Sequence, residues 1–157
     1  MNKKCFGTIA LLLLIIGGGV FKFMFQGSVI ESPDGRISIL LNASERNMVL
    51  QEMRAFLESV QQITKAATEN NMKIVAESAS KVGKAAQGAV PGTLIGKLPI
   101  EFKKLGFDTH LKFDDLALNA KDFGDSNQVL IQLSELMQNC VGCHAAYRID
   151  VSETTGQ

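Results

Sequence analysis

The sequence carries no surplus of charge of either sign: 16 Lys and Arg balance 16 Asp and Glu over 157 residues. No basic patch is interleaved with aromatics, which excludes a nucleic-acid partner bound through phosphate neutralisation. Tryptophan is absent and Tyr147 is the single tyrosine. Metal-ligating side chains are scarce, with Cys5, Cys140 and Cys143 as the cysteines and His110 and His144 as the histidines. A structural zinc site usually takes four ligands from two Cys/His pairs, and here the spare thiol, Cys5, is spent in an N-terminal apolar stretch. No strand pattern adjoins Cys140 and Cys143, so a thioredoxin-like dithiol lacks its βαβ setting. There is no internal repeat and no low-complexity tract. No acid, base and nucleophile come together in a constellation that would mark an enzyme.

What the sequence does contain is the pentapeptide Cys140-Val141-Gly142-Cys143-His144. Two thiols spaced C-x-x-C with a histidine directly after form the attachment pattern of a c-type haem. Each thiol adds to a porphyrin vinyl group as a thioether, and the two intervening residues let both sulfurs reach adjacent edges. The histidine is then held under the ring as an axial iron ligand. On a helix Cys140, Cys143 and His144 lie three and four residues apart, so all three meet one haem face. The expectation is one covalent haem c, with Cys140 and Cys143 as thioethers and His144 as the proximal iron ligand.

The chain opens with the basic residues Lys3 and Lys4, followed by an apolar run from Cys5 to Phe25 broken only by glycines, Thr8 and Lys22. This is an export signal by charge and apolarity. No A-x-A cleavage site follows, and the run is about long enough to span a bilayer, with Lys22 able to snorkel near its outer end. Residues 1–27 therefore read equally as a cleaved signal peptide or as a retained membrane anchor. In both cases the folded part lies in the periplasm or on the outer side of the cytoplasmic membrane. Haem attachment belongs to the same side, where thiols must be kept reduced until the haem arrives.

Residues 28–41 read as a linker, with a turn at Ser32-Pro33-Asp34-Gly35; within it Arg36-Ile37-Ser38-Ile39-Leu40-Leu41 reads either as a short extended piece or as apolar residues packed on the bundle. Asn42 and Glu45 then resemble a capping box. An apolar stripe through Val49, Met53, Phe56, Leu57, Val60, Ile63 and Ala67 predicts a helix from about residue 44 to 69. A second helix, alanine-rich on its buried face, is expected over about 71–87, and a connection with a short helix over 93–105 that Gly106 ends. Phe113, Leu116, Ala120 and Phe123 mark a third helix over 107–123. A fourth, over about 126–149, carries Val129, Leu133, Leu136, Met137, Cys140, His144 and Tyr147 on one face. With no convincing strand, the expected fold is all-α, an antiparallel four-helix bundle over 42–150 followed by a tail over 151–157.

An exported four-helix pattern with C-x-x-C-H in the last helix, trailed by Ala145-Ala146-Tyr147-Arg148, resembles the cytochrome c′ family and its low-spin relatives. The resemblance covers roughly Asn42 to Asp150, and is specific at the C-terminal motif and loose elsewhere. It implies that the distal side of the iron faces the first bundle helix, through methionine in the electron carriers and an apolar residue in the five-coordinate gas binders. Met48 and Met53 both lie there, about 140° apart around the helix. Met53, on the apolar stripe, is the candidate distal ligand; Leu50 would be the distal neighbour of a five-coordinate iron. His110, bordering the third stripe, is a rival ligand. Arg148, one helical turn beyond His144, is a candidate partner for a haem propionate. The expected function is one-electron transfer with an unidentified redox partner protein, and the alternative is binding of nitric oxide or carbon monoxide. The resemblance also implies a homodimer through the first two helices.

Overall fold

The computed structural model describes residues 3–152 and begins with α1 (Lys3–Phe21), prolonged by a π-helical turn over Lys22–Gln26. Within the helix Cys5–Gln26 the most apolar 18-residue stretch has a mean hydropathy of 2.2, and none of that stretch is buried by the rest of the chain. By length and composition it is a candidate membrane span. Met1 and Asn2, at the start of the expected signal, lie outside the described residues, as do residues 153–157 of the expected tail.

The next segment differs from the expected linker. Val29–Glu31 (β1) and Ile37–Leu41 (β2) form an antiparallel hairpin. The turn residues close it, with Gly35 at φ 83° and its N–H donating to the Ser32 carbonyl at 3.0 Å. Ile39 and Leu41 alternate along β2 and are fully buried, which a solvated linker would not allow. A third strand, Tyr147–Val151 (β3), pairs parallel to β2 with Ile39 opposite Ile149. The expectation of no strand therefore fails at both ends of the folded unit.

Helices nevertheless dominate the described residues. The first after the hairpin is α2 (Ala43–Thr68), started by a true capping box. Asn42 Oδ1 accepts from the Glu45 N–H at 2.9 Å, and Glu45 Oε2 accepts from the Asn42 N–H at 3.0 Å. Asn70, in the left-handed region at φ 53°, reverses the chain into α3 (Met72–Ser80). This second helix is shorter than the alanine pattern implies. Asp114 Oδ2 accepts from the Lys84 N–H at 2.9 Å, and a Cβ at Gly83 would run into that carboxylate. The chain therefore turns away into a 3-10 stretch over Lys84–Ala89 and a short α4 (Gly92–Lys97).

The third long helix, α5 (Ile100–Asp122), starts at Pro99 and runs straight through Gly106, the expected stop. A glycine inside a helix costs about 1 kcal/mol relative to alanine, a modest sum against the packing of a long helix. The last helix, α6 (Ser126–Ala146), ends before Tyr147 rather than at residue 149, because the alternating Tyr147-Arg148-Ile149-Asp150-Val151 is drawn into the sheet.

Helix α2 packs against α3 and α6, and α5 against the same two. Ile63, Val75, Phe113, Leu116, Val129 and Leu136 fill the space between them, with Ala66, Ala76, Ala79 and Ala120 keeping the backbones close. Leu57 and Phe123, expected on the buried stripes, are instead exposed. A second cluster, Ile39, Leu41, Val49, Leu94 and Phe102, lies under the sheet. Met53 packs against both clusters, at the seam where the Cys140–His144 motif also lies.

Candidate functional site

Cys140 and Cys143 sit on the last two turns of α6 as free, half-buried thiols. The helix is held there by its neighbour Asn139. The Asn139 amide donates to Asp108 Oδ2 at 2.7 Å and to Thr109 Oγ1 at 3.2 Å, and its carbonyl oxygen accepts from Lys112 at 3.2 Å. A buried amide satisfied this fully fixes the rotation of α6 against α5. At the other end of the motif, Arg36 of the hairpin donates to the carbonyls of His144 and Tyr147, both at 3.4 Å. That places a cation on carbonyls left free by the end of the helix.

Both thiols face a cavity of about 410 Å³ between α2, α5 and α6. Met53 and Leu50 line it from α2, Phe102 and Gly106 from α5, and His144 from α6. A smaller adjoining cavity of about 200 Å³, reaching the sheet, shares Leu50, Met53, Cys143 and His144 and adds Arg36 and Arg148. Burial pushes the Cys143 thiol up to about 11, with Cys140 beside it adding to the shift; burial raises Cys140 as well. Both sulfurs are therefore protonated thiols at neutral pH, poor metal ligands and poor dithiol nucleophiles as they stand. Among the described residues, no three His, Cys, Asp or Glu side chains converge to hold a bare metal ion.

Met53 lies across the cavity from the motif, whereas Met48 lines a different cavity on another side of α2. His110 also faces that second cavity, of about 340 Å³. Its Nδ1 is 2.7 Å from the Val82 carbonyl, its Nε2 is 3.2 Å from Glu52 Oε1, and the Phe56 ring stands edge-on against it. Burial alone would lower its pKa, but the Glu52 carboxylate and the Val82 carbonyl outweigh that and raise it. His110 therefore stands in a different cavity from the Cys140–His144 motif, with its two nitrogens turned to Val82 and Glu52 rather than toward the thiols.

No family model, curated protein or solved structure matches this chain. Its function has to be read from this site.

Arg148 is not on a helical turn beyond His144 but on β3, at the edge of the smaller cavity. It pairs with Asp150 at 2.9 Å and Asp34 at 3.4 Å, while Arg36 pairs with Asp34 at 2.7 Å. Ser38 donates a further hydrogen bond to Asp150. Two guanidinium groups thus stand beside the motif, each already shared with carboxylates. The sequence reading missed Arg36, whose only signal was its place straight after the turn and before the alternating apolar run. Tyr147 packs edge-on against Phe102 at 5.4 Å, closing the cavity on the sheet side.

Proposed function

We propose that the chain is a c-type cytochrome that carries single electrons on the outer side of the cytoplasmic membrane. In this reading α2, α3, α5 and α6 form an antiparallel four-helix bundle around a covalent haem. Cys140 and Cys143 supply the thioethers, His144 the proximal ligand and Met53 the distal one. The observation that carries the reading is the meeting of a complete C-x-x-C-H motif with a largely apolar cavity of about 410 Å³ on the same face. That volume falls within the usual range for a cofactor site, roughly 300–1,000 Å³.

The bound haem would supply a reversible one-electron couple. The residues of this chain do the rest. The thiols, kept protonated by burial, are held on one helix face by the Asn139 network. His144 sits at the cavity rim under Arg36 and is exposed. Apolar side chains of α2 and α5 keep water from the distal side. A propionate at the rim would draw Arg148 and Arg36 away from Asp150 and Asp34.

The test is a haem stain on a denaturing gel after export in a host able to attach haem c. The expected result is a stained band that the Cys140→Ala, Cys143→Ala double variant loses. An unstained wild-type band from such a host overturns the reading.

A second reading is a five-coordinate haem that binds nitric oxide or carbon monoxide. It is favoured by Leu50, which lines the same two cavities as Met53. A high-spin ferric spectrum with ready gas uptake supports it, and a low-spin spectrum with a methionine-to-iron band supports electron transfer.

A further inference from the structure

We propose that the apolar N-terminal helix stays on the working protein as a transmembrane anchor, and that its junction with the folded domain is locked rather than hinged. The decisive residue is Lys103. It is buried, and it lies in the first turn or so of α5, where that helix's own dipole disfavours a cation. A buried ammonium there needs acceptors. Among the described residues it finds two, the carbonyls of Phe23 at 3.2 Å and Met24 at 3.0 Å. These belong to the last turn of the apolar segment, whose carbonyls have no helical partners further on.

Three more contacts fix the same junction. Gly27 adopts φ 71°, and a Cβ there would meet the Lys97 carbonyl oxygen at 2.5 Å. Its neighbour Ser28 donates its N–H to that same carbonyl at 2.7 Å. Gly96 leaves the room that the Phe23 ring occupies, since a side chain at 96 would run into it. Cleavage anywhere between Met24 and Gly27 would remove both carbonyls that Lys103 was buried to hold.

Above the junction the partner is a lipid bilayer. Every large apolar side chain from Phe6 to Phe25 is at least 45% exposed, around the whole helix rather than on one face. The 22 residues of the span rise by about 33 Å at 1.5 Å per residue, against roughly 30 Å of hydrocarbon. Phe102 and Gly106, on either side of Lys103 in α5, both line the cavity beside Cys140 and Cys143. The stretch of α5 that holds the junction is therefore also the stretch that lines the candidate site.

The full chain, exported in a host that attaches haem c, tests this by membrane fractionation and by intact mass. The expected protein sediments with membranes, resists alkaline carbonate, is released by detergent, and has a mass that includes the apolar helix. A soluble periplasmic chain whose mass begins after Phe25 overturns the proposal, and if it stains for haem it leaves the functional reading standing. A membrane-bound chain without haem does the reverse. The lock is read by trypsin cleavage after Lys22 in detergent. Wild type should resist, while Lys103→Ala and Gly96→Val should be cut at least tenfold faster with the cavity-side absorption spectrum unchanged. Equal cleavage of wild type and both variants overturns the lock.

Discussion

Replacing Met53 by leucine separates a ligand from a packing residue. The two side chains have similar volume, so in a buried site the exchange costs less than about 1.5 kcal/mol. Met53 is only half-buried, although it packs against both apolar clusters, so about half that cost applies. At this chain length 1 kcal/mol is worth about 3 °C of melting temperature, giving an expected fall of roughly 2 °C. Leucine has no donor atom. If the Met53 sulfur completes the iron coordination, Met53→Leu turns a low-spin ferric spectrum into a high-spin one while circular dichroism reports almost the same melting curve. Met53→Ala adds a void: Met→Ala costs about 2–5 kcal/mol when fully buried, so about half of that is expected here, together with the same spectral change. A Met53→Leu protein that keeps a low-spin spectrum and its methionine-to-iron band refutes the assignment, whatever its stability.

Three further outcomes follow from the polar contacts. Burial raises the Glu45 carboxyl, but the Lys97 ammonium at 2.7 Å and the capping N–H of Asn42 overcome this and lower it; Lys112 with Asn139 lowers Asp108, and Ser38 with Arg148 lowers Asp150. Groups depressed in this way stabilise the fold above their unfolded values and lose that contribution as pH falls through the folded ones. The carboxylate contribution to the urea midpoint should be complete above about pH 5, and the midpoint should drop below about 4, with a shallower drop in Glu45→Gln. For His110, raised on balance by Glu52, the sign is opposite: its contribution is complete below its unfolded value near 6.5 and fades as pH rises through the folded one. Glu52→Gln should lower its titration midpoint by NMR, and an unmoved midpoint would dismiss the pair. Asn139→Leu strands the Asp108 and Thr109 partners and should cost about 1–3 kcal/mol in urea unfolding; a cost under 0.5 kcal/mol would show that the network does not hold α6.

The helical regions were legible where local chemistry and periodicity agree. Asn42 and Glu45 announced the start of α2, and the stripe through Val49, Phe56 and Ile63 marked its buried face. Met53 could be separated from Met48 by helical angle alone, and the two do line different cavities. β1 and β3 were missed because they are only three and five residues long, and β2, open in the sequence as a short extended piece, finds its second partner at the far end of the chain. Alternation in Ile37, Ile39 and Leu41 was visible, but no local signal names Ile149 as the partner. The same distance hid Arg36, which reaches His144 across 108 residues. Gly106 misled for the converse reason: its local tendency to stop a helix gave way to packing on both sides of it.

The parallel pairing of β2 with β3 also sets an order of events. Arg36 and Tyr147 are 111 residues apart, so the sheet is the costliest loop in the molecule to close and its slowest contact to form. If the chain is exported and loaded with haem as proposed, the last helix emerges before the strand that fastens its end. For that interval the two sulfurs belong to a helix still loose at its C-terminus, open to an attachment enzyme. Zipping of the final strand then shuts the door behind whatever has been installed.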